Sequence, residues 1–449
     1  MGKLFGTDGI RGKADAYPLD SPTVIRLGFC LAEVLGRSVS PVRVLLGRDS
    51  RESGARIAQC LAYGIHKAGG LTVDAGLIPT PGVAYLTRAY DFNAGIVISA
   101  SHNPYTDNGI KVFSFEGYKI PDDLEEEIEK ALLEGSAEPE PADLSKFELE
   151  TDRTLRTRYL DRILSISEVK DLKGRAIKVA IDCSNGAASW IAPELFKQLG
   201  VDVIAMGNES NGKNINLDCG SLHPEGVADM VVKEKADLGI AYDGDADRCI
   251  LIDEKGCVRD GDYQLALFAD WMNERGSLPG REIVATVMSN LGLEKYLESR
   301  GISLLRTAVG DKNVLEEMIA KRIPVGGEQS GHIIFLDHAT TGDGVLTSLR
   351  ALEIMMARAK PLSQLCEGMT RFPQILKNIR VARKEPVDDV SELKDEINRV
   401  VTSLGADGRC FVRYSGTEPL LRIMIEGTDL KTIETYAEQI ARVAQEKLG

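Results

Sequence analysis

The chain has 449 residues, 43% of them apolar and 27% charged, with 54 Lys and Arg against 68 Asp and Glu for a formal net charge of -14. At about 150 residues per domain that length fits roughly three domains, with apolar residues enough for several packed cores. The acidic balance argues against nucleic acid as a general partner, no apolar run approaches the roughly 18 residues of a membrane helix, and the eight cysteines include no Cys-x-x-Cys pair that would suggest a zinc cluster or disulfide framework.

The opening Met1–Gly6 lacks the long apolar stretch of a secretory signal, and Gly6 breaks the myristoylation pattern. A cytoplasmic protein with buried free thiols is expected. Strand and helix patterns then alternate. Ser21-Pro22 reads as a helix cap with proline at the first helical position, and Gly36 as its stop. Residues 42–46 read as a strand, 53–67 as a helix, and 71–74, 95–99 and 110–113 as strands. The proline-rich stretch 134–141 reads as a linker.

A second unit starts near Asp152, with a helix to about Leu164, a strand over 177–182 and a helix after Asn185-Gly186. Apolar runs 238–242 and 249–253 flank an acidic loop. Strands near 283–287 and 304–307 belong to a third unit. The last unit has short strands around Phe411 and Ile423, a helix near 391–403 and an amphipathic C-terminal helix. The expected fold class is α/β, with three similar α/β domains (1–150, 151–255 and 256–370) and a smaller α+β domain (371–449). No strict internal repeat is visible.

Five segments carry chemistry. Ser99-Ala100-Ser101-His102-Asn103-Pro104 follows a buried strand and places a hydroxyl, an imidazole and an amide in one loop. A serine-hydrolase reading is disfavoured, because the base normally reaches its serine from elsewhere in the fold and G-x-S-x-G is absent. Asp243-Gly244-Asp245-Ala246-Asp247-Arg248 puts three carboxylates at alternate positions with small spacers, a pattern suited to a hard divalent cation such as Mg²⁺. The alternative is a solvated acidic turn. Arg413-Tyr414-Ser415-Gly416-Thr417-Glu418-Pro419, with Arg422 nearby, offers a guanidinium, hydroxyls and a glycine amide to a phosphate. The glycine-rich Gly6–Gly12, with Arg11, is a weaker example, and Gly326–His332 offers Glu328 and Ser330 to sugar hydroxyls or an amine. Each of these three also reads as an ordinary turn. Together, a serine loop, a carboxylate loop and a cationic hydroxyl loop point to phosphoryl transfer, which depends mainly on positioning and charge neutralisation.

The stretches Gly6–Gly12, Ser99–Lys111, Asp243–Arg248, Gly326–His332 and Arg413–Pro419, in that order across the whole chain, resemble the α-D-phosphohexomutase family. The resemblance implies four domains in a heart shape around a central cleft, one more domain than length suggests. It implies that Ser101 carries the phosphoryl group and that Asp243, Asp245 and Asp247 hold Mg²⁺ together with a phosphate oxygen on Ser101. Arg11, His102, Lys111 and Arg248 would surround the transferring phosphate, with Lys111 as proton carrier or charge stabiliser. Glu328 and Ser330 would read the sugar, and Arg413, Ser415, Gly416, Thr417 and Arg422 would clamp the other phosphate.

The implied reaction interconverts glucosamine 6-phosphate and glucosamine 1-phosphate through a bound 1,6-bisphosphate, supplying UDP-N-acetylglucosamine synthesis. Glucosamine 1,6-bisphosphate, or glucose 1,6-bisphosphate, would be the activating intermediate. Gln329, Asp107–Lys111 and Gly310–Asn313 lean to the glucosamine branch; the branch acting on mannose and glucose phosphates is the alternative. The family also implies a homodimer through its first domain, a small-molecule sugar phosphate as partner, and neither nucleic acid nor membrane. A metal-dependent sugar phosphatase would share the aspartates and phosphate loops but needs neither Ser101 nor Lys111. Two departures stand out. Tyr414 replaces a usual proline, and Ala246 a usual glycine, tolerable unless positive φ is required.

Overall fold

The computed structural model describes residues 4–6, 8–135, 144–415 and 419–449. The expected linker 134–141 therefore lies outside the described residues beyond Gly135. The first sheet contains β1 (Phe5–Gly6), β2 (Gly9–Lys13), β3 (Arg43–Arg48), β4 (Leu71–Leu77), β5 (Ala94–Ile98) and β6 (Asp107–Ser114), in the order β1-β2-β6-β5-β3-β4. β3 pairs in parallel with β4 and β5, and the β6 edge is antiparallel. Every residue of β5 is buried, which explains its unbroken apolar sequence: a central strand covered on both faces has no solvent side to alternate with.

The second sheet contains β7 (Lys178–Asp182), β8 (Asp202–Met206), β9 (Leu238–Tyr242), β10 (Cys249–Asp253) and β11 (Val258–Arg259), in the order β11-β10-β9-β7-β8. The third contains β12 (Glu282–Thr286), β13 (Ser303–Thr307), β14 (Val325–Gly327) and β15 (Ile333–Phe335), in the order β13-β12-β14-β15. The fourth is smaller and wholly antiparallel: β16 (Gln374–Arg380), β17 (Gly408–Tyr414) and β18 (Leu420–Gly427), in the order β16-β18-β17. Helices Ser391–Leu404 and Leu430–Leu448 pack on it around Leu393, Val400, Ile423, Ile425, Ile433 and Ile440. The three α/β sheets and the smaller α+β sheet are the architecture expected from the alternating patterns.

Two local readings change. The first helix, Ser21–Gly36, is capped by Asp20 rather than Ser21, because the Asp20 carboxylate accepts the Thr23 N–H at 3.1 Å. Gly6–Gly12 is not an open loop but largely the β1–β2 hairpin, with Gly6 opposite Gly9. Gly9 is required there: its φ is +78°, and a Cβ would lie 2.3 Å from the Ile110 carbonyl oxygen. Helix Thr80–Ala89 was not evident in the sequence, since Thr-Pro-Gly reads as a turn; Pro81 instead occupies the helix's first turn.

The chain divides into two compact units, one from 1–288 with 304–366, the other from 289–303 with 367–449. In the second unit, buried Glu426 ties the 289–303 segment to the small sheet. It accepts from Asn290 Nδ2 at 3.2 Å, the Leu291 N–H at 3.1 Å and Arg409 Nε at 3.0 Å. Among the described residues no helix is long and apolar enough to cross a membrane.

Candidate active site

β5 and β9, both buried throughout, end on the two loops that make the centre. Carboxyl ends of strands are where open α/β sheets present ligand-binding loops. Ser101 follows β5 and Asp243 follows β9. The Ser101 side chain is buried and its hydroxyl donates to Asp243 Oδ2 at 2.5 Å. The loops touch closely: a Cβ at Gly244 would lie 2.5 Å from the Ser101 carbonyl oxygen, so the glycine between the first two aspartates is a contact requirement.

One carboxylate oxygen each from Asp243, Asp245 and Asp247 lies within 4.8 Å of the others, and all three residues are buried. Burial, then the carboxylates of Asp247 and Asp245, push the Asp243 carboxyl well above the usual carboxylate range. Burial also raises Asp247, but Lys111, His332 and Arg248 outweigh it and hold that carboxyl well below the usual range. Asp245 Oδ1 and Asp247 Oδ1 are buried with no hydrogen-bond partner in the protein. Buried carboxylate oxygens without a hydrogen bond are costly, and a cluster of them fits a hard divalent cation such as Mg²⁺, with oxygen donors only.

The basic groups differ in what they contact. Lys111 Nζ lies 3.2 Å from Asp245 Oδ2, 3.4 Å from Asp247 Oδ2 and 3.2 Å from Asp8 Oδ2. Burial works against its charge, but Asp245, Asp8 and Asp247 raise its pKa well above that of an ordinary lysine. It is a fixed cation here. Arg248 donates its backbone N–H to Asp243 Oδ1 at 3.2 Å, and its NH1 lies 3.4 Å from His102 Nδ1. His102 Nδ1 is 3.3 Å from Ser101 Oγ. Burial, with Arg248 and Arg11, pushes the imidazole down to about 4, so it is neutral near pH 7. Arg11 donates to the Ala100 carbonyl at 2.9 Å and pairs with Asp8.

Glu328 and Ser330 occupy the turn between β14 and β15. Glu328 Oε1 accepts the Gly310 N–H at 3.2 Å, and Ser330 Oγ is 3.5 Å from Glu328 Oε2. In the second unit, Arg413 and Arg422 face each other across β17 and β18. Like charges directly opposite are unfavourable in a sheet. Arg422 NH2 lies 3.5 Å from Ser415 Oγ, and Lys384 Nζ donates to the Ser415 carbonyl at 2.7 Å. Gly416 and Thr417 lie outside the described residues. Tyr414 ends β17, stays in ladder register with Leu421 and packs on the unit's core. Ala246 has φ +54°, so the position does use the conformation glycine adopts freely.

The sequence reading missed several residues. Lys119 Nζ bridges Asp8 Oδ1 and Asp311 Oδ2, each at 2.7 Å. His332 accepts the Gly342 N–H at Nε2 (2.9 Å), which leaves Nδ1, 3.7 Å from Asp247 Oδ2, to carry the proton. Thr80 donates its hydroxyl to Asp245 Oδ2 at 2.6 Å. Asp8, Asp311 and His332 lay inside motifs already noted; nothing in the local sequence marked Lys119 or Thr80.

Comparison with known proteins covers the whole chain. Domain signatures described as phosphoglucomutase/phosphomannomutase α/β/α domains I, II and III and C-terminal domain match residues 2–138, 157–256, 260–372 and 376–443. The phosphoglucosamine mutase of Solibacter usitatus is 46% identical over 449 residues, 99% of each chain. That of Carboxydothermus hydrogenoformans is 45% identical over 448 residues, 99% of this chain and 100% of the relative. A crystal structure of a phosphoglucomutase/phosphomannomutase family protein from Burkholderia thailandensis is 27% identical, with a TM-score of 0.80, covering 100% of this chain and 98% of that one.

Proposed function

The chain belongs to the phosphoglucomutase/phosphomannomutase family, and we infer that it is a phosphoglucosamine mutase, interconverting glucosamine 6-phosphate and glucosamine 1-phosphate. The observation that carries the reading is the Ser101 hydroxyl 2.5 Å from Asp243, beside two buried aspartate oxygens that accept no hydrogen bond and the fixed Lys111 cation. That arrangement suits a serine that carries phosphate, not one that attacks an acyl group.

In the forward half-reaction the phosphorus bond to Ser101 Oγ breaks and a bond to the sugar's free hydroxyl oxygen forms. The sugar hydroxyl loses its proton and Ser101 Oγ gains one. The bisphosphate then presents its other phosphate, and the reverse transfer restores phosphoserine. Bound Mg²⁺, held by Asp243, Asp245 and Asp247, would supply charge neutralisation at the transferring oxygens. Lys111 and Arg248 add positive charge on the same side, and neutral His102 is free to hold or pass a proton. Glu328, oriented through the Gly310 amide, accepts from a sugar hydroxyl or the amine, with Ser330 beside it. Arg413, Ser415, Gly416, Thr417 and Arg422 are assigned to the phosphate not in transfer. One clamp must accept either phosphate of the bisphosphate, which suits donors aimed at the phosphate group rather than at one sugar face. The four-domain division at 150, 255 and 370 and a homodimer through the first domain are part of the same reading.

The test is a coupled assay on glucosamine, glucose and mannose 6-phosphates primed with glucose 1,6-bisphosphate, with intact mass recorded before and after priming. The expected result is one added phosphate and the highest kcat/KM with the glucosamine substrate. In Ser101→Ala the added phosphate disappears and turnover falls by about 10⁴-fold or more, as for loss of a nucleophile. Wild-type turnover in that variant, or accumulation of free phosphate in place of the isomer, overturns the reading.

A further inference from the structure

Ser101 has φ +49°, a left-handed conformation that is unfavourable for an L-residue. Something must hold it there. The Arg51 guanidinium does so with all five of its N–H groups. Nε donates to Asp49 Oδ2 at 2.8 Å. NH1 donates to the carbonyls of Asp107 (3.0 Å) and Pro104. NH2 donates to the carbonyls of Ser101 and Asn103, each at 2.8 Å. The loop from 101 to 107 is thus wrapped around one guanidinium.

The other side of Ser101 is tied to the same ion pair. Its N–H donates to Ser99 Oγ at 2.8 Å, and Ser99 Oγ donates to Asp49 Oδ2 at 2.7 Å. The Arg51 N–H donates to Asp49 Oδ1 at 3.1 Å. Asp49 and Arg51 therefore act on the peptide planes on both sides of Ser101, on the N–H through Ser99 and on the carbonyl directly, where Asn216 Nδ2 also donates at 2.9 Å. Both charged side chains have 0% exposure. With every donor engaged by carbonyls and Asp49, Arg51 has none left for a phosphate, so it is not a ligand contact.

We propose that the buried Asp49–Arg51 pair is the positioning device of the reaction, holding Ser101 in its left-handed conformation with Oγ aimed at the aspartate cluster. The inference rests on the phosphoserine chemistry proposed above. A lysine at position 51 keeps the charge but cannot span the set, because its donors radiate from one point whereas a guanidinium is a rigid planar fork. Ser99→Ala keeps the direct Asp49–Arg51 contacts and removes the two hydrogen bonds of Ser99 Oγ, the one it accepts from the Ser101 N–H and the one it donates to Asp49 Oδ2. Displacing a reacting group by about 1 Å can cost on the order of 10²-fold in rate.

The experiment compares wild type, Arg51→Lys and Ser99→Ala as full-length proteins. It measures the thermal transition, KM and kcat for glucosamine 6-phosphate, and the rate at which glucose 1,6-bisphosphate phosphorylates Ser101, read by intact mass. The expected result is a fall of roughly 10²-fold in kcat and in the phosphorylation rate for Arg51→Lys. Ser99→Ala should fall about tenfold, and KM should stay within about twofold in both, because the sugar contacts are untouched. A purely structural role would lower the melting temperature while the folded protein turned over at the wild-type rate, and that result overturns the proposal. If Arg51→Lys does not fold, Ser99→Ala decides: wild-type kcat and phosphorylation rate in it overturn the proposal. A wild-type enzyme that neither takes up phosphate nor isomerises the substrate defeats the proposed function itself; an active wild type matched by both variants defeats only this inference.

Discussion

Replacing Asp245 by Asn removes one charge from the buried cluster and leaves its shape. Asp245 accepts from Thr80 at 2.6 Å and lies 3.2 Å from Lys111, with the other two carboxylates within 4.8 Å. At an effective dielectric constant near 20, each carboxylate repulsion is about 3.5 kcal/mol and the lysine attraction about 5 kcal/mol. If both neighbours are ionised, losing the charge relieves about 7 and forfeits about 5 kcal/mol. With Asp243 protonated, only Asp247 repels, and the balance becomes a loss of about 1.5 kcal/mol. Metal-free Asp245→Asn should therefore lie within about 2 kcal/mol of wild type, unlike the 3–5 kcal/mol typical of a broken buried ion pair. The two proteins separate on adding Mg²⁺. At a hundred times its dissociation constant the ion stabilises wild type by about 2.7 kcal/mol, while a variant binding a hundredfold more weakly gains about 0.4 kcal/mol. The assay is the thermal transition in EDTA and across a Mg²⁺ titration. Equal Mg²⁺ stabilisation of the two proteins, or a variant several kcal/mol weaker in EDTA, would refute the reasoning.

Ala246 sits at φ +54°, so Ala246→Gly should raise stability by up to about 1 kcal/mol, the strain relieved less the extra unfolded-chain entropy. A urea midpoint below wild type contradicts this. Asp343 caps helix Gly344–Arg358 and accepts from the Tyr159 hydroxyl at 2.7 Å, and burial pushes its carboxyl up to about 6. A raised carboxyl contributes stability below the unfolded value near 4 and loses it as pH rises through 6. Wild type should lose up to about 3 kcal/mol between pH 4 and 7 from this group. Asp343→Asn should flatten that slope, and denaturant midpoints at both pH values check it; an unchanged slope counts against the assignment. Glu426→Ala should destabilise the second unit by about 3–5 kcal/mol by removing the buried carboxylate to which Arg409, Asn290 and the Leu291 N–H all donate. Hydrogen exchange over β16–β18 should speed up accordingly, and unchanged protection would show the pair to be dispensable.

Local pattern settled the element types where period and punctuation agree. The buried runs of β5 and β9, the acidic hairpin between β9 and β10, and the C-terminal amphipathic helix all follow from local apolar pattern and turn residues. So did the residue types that carry chemistry, because three aspartates at alternate positions with Gly and Ala between them have few other uses. Helix Thr80–Ala89 escaped because its first turn is spelled with turn residues, and the cap of the first helix was misread because Ser21 and Asp20 are both good caps and only geometry chooses. The centre itself was decided by tertiary structure. Ser101 and Asp243 are 142 positions apart, and no local pattern brings them within hydrogen-bond reach; two sheets do, by ending strands on facing loops. The same holds for the charge states. Lys111 is a fixed cation, His102 a neutral ring and Asp243 a carboxyl raised above the usual range, because burial and neighbouring charges set each pKa, and both are properties of packing rather than of the chain's order. Arg51 is the sharpest case. In the sequence it is one arginine after a strand, whereas in the fold every guanidinium donor is spent on Asp49 and on the carbonyls of the loop that begins at Ser101.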